Sequence, residues 1–173
     1  MSTLRTANLL GALAGQVDHL LIRRLQRHPN QTDSSAAALN VLAFYEGCTN
    51  LRLSRALRLS HTATVRLVDK LEGEGLVESR AGRDKRSVAL SLTEPGRARV
   101  RELLADRCRT LDAALSVLSA QEQEALSGLL EKLLRGQVKA AGDDGYICRL
   151  CDSTVCPADS CPVHQAALAV AEG

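Results

Sequence analysis

Aromatic side chains are almost missing from this chain: its 173 residues include no tryptophan, one phenylalanine and two tyrosines. Strands draw on aromatic and β-branched residues, so a Leu- and Ala-rich chain this poor in aromatics favours helices. No apolar run approaches the roughly 20 residues needed to cross a bilayer. The N-terminus lacks the basic-then-apolar order of a secretory signal, because Arg5 stands alone and Gly11, Gln16 and Asp18 interrupt the run. The expected location is the cytoplasm, with no membrane partner. There is also no glycine-rich phosphate loop, no HExxH pair and no nucleophile beside a base. His19, His28, His61 and His164 are scattered. No catalytic residue is assigned, and the chain is expected not to be an enzyme.

The length fits one globular domain plus an appendage. A net charge of +2 hides an asymmetry. Residues 141–173 hold five acids against the single base Arg149, a balance of −4, which leaves +6 on residues 1–140. A basic body suits a polyanion, although so small an excess decides nothing alone.

What is present is helical periodicity. Leu10, Leu13, Val17, Leu20 and Leu21 share one stripe of a helix from about Leu4 to Arg27. A second helix is expected over Ser35–Glu46. Thr93 can cap a long helix whose stripe is Val100, Leu104, Cys108, Leu111, Leu115 and Leu118. Ser119 and Glu122 match a capping box ahead of another helix, striped with Leu126, Leu129, Leu130, Leu133 and Leu134. The expected organisation is an N-terminal helix and loop over 1–34, a central domain over 35–93, a pair of long helices over 94–140 and a cysteine-rich tail over 141–173. Gly142–Gly145 reads as the linker into that tail.

Between Leu51 and Gly96 the order is two short helices, then two strands joined by a basic loop. On the second helix, roughly Ser60–Glu74, Thr64, Leu67, Val68 and Leu71 fall on one inward face. His61, Thr62, Val65, Arg66 and Asp69 are left outward, and Ser60 is a reasonable N-cap. Arg66 can reach a guanine edge or a phosphate, and Val65 and the Thr62 methyl can meet a thymine methyl. Strands over Leu76–Ser79 and Ser87–Leu92 flank Arg80, Arg83, Asp84, Lys85 and Arg86. Asp84 is placed to brace a neighbouring arginine for a narrow minor groove. A basic loop alone is usually just solvated; the force lies in the order of capped helix, glycine-bounded turn, hairpin and basic tip.

The segment resembles the winged helix-turn-helix of the MarR family of bacterial regulators. The resemblance is carried by Leu53–Leu57, Leu59-Ser60, Arg66–Glu72, Gly75–Val77, Asp84–Arg86 and Leu92–Gly96. It implies a mainly α fold with a small β-wing and dimerisation helices at both ends. It further implies a homodimer bound to a pseudo-palindromic site in double-stranded DNA, most often as a repressor, with Arg66 in the major groove and Arg86 in the minor groove. Two positions depart from the family pattern. Thr64-Val65 stands where the family commonly has Val-Thr, and Arg58 occupies a turn position where glycine is frequent. Arg58 there implies either backbone strain or an added phosphate contact.

Six cysteines remain. Cys108 lies on an apolar stripe and is expected to be a buried small hydrophobe, and Cys48 to be structural. Cys148, Cys151, Cys156 and Cys161 fall within fourteen residues. Four thiolates make a standard closed zinc site, and the spacing equals that of compact zinc knuckles with Cys in place of His. Cys156-Pro157 and Cys161-Pro162 resemble the Cys-Pro pairs beside iron–sulfur clusters. One metal centre held by the four cysteines is expected, zinc ahead of an iron–sulfur cluster, with reversible disulfides as a third option. His164 is a spare ligand, expected to be exposed. The signal sensed is then either the redox or metal state of this tail, or a small-molecule effector with the zinc purely structural. A zinc enzyme would need an open coordination position that four thiolates do not leave.

Overall fold

Hydroxyl side chains decide where the helices begin. The structure, a computed structural model, describes residues 3–45, 47–81 and 88–172. Among these the elements run α1 (Thr3–Leu25), α2 (Asp33–Phe44), α3 (Asn50–Leu57), α4 (His61–Gly73), β1 (Val77–Ala81), β2 (Val88–Leu92), α5 (Glu94–Leu115), α6 (Ala120–Arg135), α7 (Asp143–Ile147) and α8 (Pro162–Glu172). Thr32, Thr49, Ser60, Thr93 and Ser119 stand in extended backbone before α2 to α6. Each accepts a hydrogen bond from the backbone N–H three residues on. That satisfies one donor the helix itself leaves free. The expected capping box is complete, with Glu122 accepting from the Ser119 N–H at 2.9 Å. Helix α2 starts two residues earlier than expected because Thr32 is its cap.

Helix α2 is buried from Ser35 to Leu42, and the rest of the fold is built around it. Leu39 of α2, Leu53 of α3, Leu71 of α4 and Leu90 of β2 are fully buried in one cluster. The helix-turn-helix and the wing therefore share a core, and the second helix of the pair cannot rotate without disturbing both. Thr64 is buried in the same place, and its hydroxyl donates to the Ser60 carbonyl at 3.0 Å. The wing strands are antiparallel, with Val77 opposite Leu92 and Ser79 opposite Leu90. Cys48 is structural, as expected: it is buried, and its carbonyl accepts from the Leu90 N–H at 2.8 Å. Burial pushes the Cys48 thiol up from its ordinary value.

Two glycines join the wing to its neighbours. Gly75 has φ +69 and turns the chain out of α4. At Gly96, in the first turn of α5, a Cβ would lie 2.0 Å from the Leu76 carbonyl oxygen. Backbone blocks that contact, so a side chain there forces α5 away from the strand. Gly96→Ala is expected to cost about 1–3 kcal/mol, read as a lower midpoint in urea unfolding with an unchanged m-value. A midpoint equal to wild type would show that this approach is not tight.

Helices α1 and α6 contain no buried residue. The link from α1 to α5 is polar. Asp106 accepts from His28 Nε2 at 2.8 Å, pairs with Arg24 at 3.2 Å and also binds Arg109. Burial works to raise the Asp106 carboxyl, and these three partners outweigh it and hold it below its ordinary value.

Two sequence expectations are corrected. Cys108 is exposed, although Val100 of the same stripe is buried and Leu104 and Leu111 are half-buried. Gly142–Gly145 is not an open linker. It leads into α7, where Asp143 accepts from the N–H groups of Lys139 and Ala140 at 2.8 and 2.9 Å. Those backbone donors, with Arg58 adding to them, hold the Asp143 carboxyl below its ordinary value.

Candidate nucleic-acid interface

The packing of α4 determines what it shows to solvent. Thr64, Val68 and Leu71 are buried, Leu67 is half-buried, and His61, Thr62, Arg66 and Asp69 are exposed. Val65, expected outward, is half-buried. The exposed set mixes a ring donor and acceptor, a hydroxyl, a guanidinium and a carboxylate at the start and middle of a rigidly held helix. Such groups can reach base edges and phosphates in a major groove.

The wing is described only in part. Arg80 lies on β1, exposed, with its guanidinium against Glu78 at 2.5 Å. So exposed a pair is weak and exchanges readily for a phosphate. Arg83, Asp84, Lys85 and Arg86 lie outside the described residues.

Arg58 meets the first of its two sequence expectations, backbone strain. It takes the left-handed conformation, φ 53, that glycine would fill at the α3–α4 turn. Its side chain does not extend toward solvent phosphate. It donates to Asp143 Oδ1 at 2.7 Å and stacks on Tyr146 at 4.1 Å. The tail thus docks against the turn of the helix-turn-helix. Arg149 also stacks on that ring, at 4.3 Å, and pairs with Asp33 at 3.2 Å. From within α2, Asn40 Nδ2 donates to the carbonyls of Arg149 at 3.0 Å and Cys151 at 2.9 Å. Asn40 and Asp143 were missed in the sequence. The one available signal for Asn40 was a polar residue inside an apolar helix.

The four tail cysteines come together. Cys148, Cys151, Cys156 and Cys161 line one cavity of about 80 Å³ with Tyr45 and His164. Cys148 interacts with Cys151 and Cys161, and Cys156 with Cys161. The hydrogen bond from Cys148, helped by Arg107 and Arg149, lowers the Cys151 thiol to about 6 against the opposing effect of burial. Cys148 is pushed up as the donor of that bond. His164 is half-buried rather than exposed, with Nδ1 bonded to Asp144 at 2.7 Å.

A capped helix held across a shared core by its partner, followed by a two-stranded wing, defines a winged helix-turn-helix protein. Residues 31–87 match the model of the MarR family. Among solved structures, the chain is similar to a MarR family protein from Bacillus stearothermophilus. The TM-score is 0.70 at 28% identity, over 80% of this chain and 100% of that one. Wild-type MarR from E. coli gives a TM-score of 0.62 at 25% identity, over 74% and 96%. Of curated relatives, the HTH-type transcriptional regulator YwhA of Bacillus subtilis is 29% identical over 55% of this chain and 69% of its own. The transcriptional repressor MprA of Escherichia coli is 39% identical over 47% of each, so the match spans about half that relative's length. Residues 31–87 therefore resemble the winged-helix region of MarR-family proteins. The curated relatives that it matches are transcriptional regulators by name. Among the described residues, no helix is long and apolar enough to cross a membrane.

Proposed function

We propose that the protein is a transcriptional repressor that binds a pseudo-palindromic duplex site as a homodimer. The observation that carries this reading is the division of α4, where Thr64, Val68 and Leu71 anchor one side and His61, Thr62 and Arg66 are exposed on the other. The dimer is supported by α1 and α6, whose leucines face outward with nothing of their own buried. Two apolar helices of this kind fit a second copy of themselves, and twofold proteins match twofold DNA. The similarity to MprA, a repressor by name, supports repression.

The test is selection from random duplexes with the full chain. Enriched sequences should carry an inverted repeat with half-sites about 10 base pairs apart centre to centre. Binding should fall steeply with salt. Enrichment of a single unrepeated site would overturn the dimer reading, and no enrichment at low salt would overturn the whole.

A second feature favours control by a small molecule. A cavity of about 340 Å³ lies between α1, α2 and α5, lined by Val17, Leu21, Val100 and Leu104. Ile147, Arg149 and Cys151 of the tail form part of its wall. A compact apolar ligand with an anionic group fits this lining, and it would press on both the dimer helices and the tail.

A further inference from the structure

DNA binding leaves one constellation unused, the four thiols of the tail. The segment from Cys148 to Cys161 has only turns and bends, yet it is held in place at both ends. Asn40 ties down the carbonyls of Arg149 and Cys151. At the other end, Cys161 and Val163 are buried in a small cluster with Val138 and Ala167. Four buried residues are a meagre core for ordering so long an irregular stretch. The four thiols line the cavity beside this stretch, where a shared ligand would add to these supports.

We propose that Cys148, Cys151, Cys156 and Cys161 together hold one thiophilic metal centre, zinc or an iron–sulfur cluster, that clasps the tail against the helix-turn-helix. All four line a single cavity. His164 also lines it, but its Nδ1 is engaged by Asp144 at 2.7 Å, which leaves the thiols as the natural donor set. Four thiolates around such a centre carry net negative charge, and Arg107 and Arg149 stand beside Cys151 to offset it. Among the described residues no three His, Cys, Asp or Glu side chains are already arranged to hold an ion. Ligation therefore requires the thiols to turn inward. One χ1 step swings a sulfur by about 3 Å, and no regular helix or strand between Cys148 and Cys161 resists it. This inference stands on the thiols and their supports, independent of the DNA reading.

The experiment uses the full chain purified without air, with zinc, iron and acid-labile sulfide measured before and after chelation. The stripped protein is then given zinc alone, or ferrous iron with sulfide. About one centre per chain is expected, with zinc alone or with iron matched by sulfide telling the two sources apart. Cys151→Ser and Cys156→Ser should each lower the content about tenfold or more, while Cys108→Ser, an exposed cysteine elsewhere, should leave it unchanged. In wild type the four tail thiols should resist alkylation until chelation, whereas Cys108 reacts at once. This last readout needs no variant and decides the matter if the serine variants misfold. Under one tenth of an equivalent after both refills (roughly the background of a four-thiolate site), full content in both serine variants, or tail thiols as reactive as Cys108 before chelation would each overturn the proposal.

Discussion

A chain carrying Leu13→Glu and Leu129→Glu is expected to stay folded, to sediment as a monomer and to lose about 100- to 10,000-fold of its affinity for a two-half-site duplex. Leu13 is 57% exposed on α1 and Leu129 is 61% exposed on α6, so neither substitution disturbs the core of one chain. The reason a second copy is proposed against α1 lies in the helix's own sequence. Gly11 and Gly15 sit in its interior with nothing near them, and each weakens the helix by up to about 1 kcal/mol relative to alanine. A helix with no buried residue gains order from packing, not propensity. Asp106 fastens the end of α1 near Arg24 and His28, and the leucines of its earlier turns stay exposed, where the proposed second copy would cover them. A glutamate placed in that apolar contact loses its hydration with no partner to replace it. Sedimentation equilibrium and fluorescence anisotropy, on an inverted repeat and on a single half-site, separate the effects. Half-site binding should barely change. A variant that remains dimeric at micromolar concentration would show that these faces do not form the interface.

The central lobe was readable because its determinants are local. Ser60 caps α4, Thr64, Val68 and Leu71 repeat at helical spacing, and Gly75 and Gly96 stand where only glycine fits. The same reasoning failed at Cys108, since an apolar stripe shows which way a face points but not how fully each position on it is covered. It failed again at Gly142–Gly145, whose composition is that of a linker. What folds that stretch is Asp143, reached by Arg58 from 85 residues away in sequence. The bonds from Asn40 to the carbonyls of Arg149 and Cys151 span more than 100 residues and go to backbone atoms, which carry no sequence signal. Arg58 was visible as an oddity in a turn, but its partner was not.

Arg66→Ala tests where α4 sits. Arg66 is exposed on the polar side of a helix whose opposite side is locked into the core, so losing it should change stability by no more than about 0.5 kcal/mol. Its effect on DNA should be large. A guanidinium forked onto a guanine edge contributes about 1–3 kcal/mol of discrimination. A homodimer loses that contact in both half-sites, and distant sites add, so affinity should fall at least about 30-fold. Two controls tell base reading from phosphate binding. If Arg66 reads a base, Arg66→Lys keeps the charge but not the fork, and preference at one base pair per half-site relaxes. If it binds phosphate, Arg66→Lys restores most of the affinity, and Arg66→Ala lowers the salt slope by about one per half-site without changing sequence preference. Both outcomes keep α4 in the groove. Wild-type affinity, wild-type salt slope and unchanged sequence preference in Arg66→Ala would remove it, and the recognition surface would then have to lie elsewhere on the lobe.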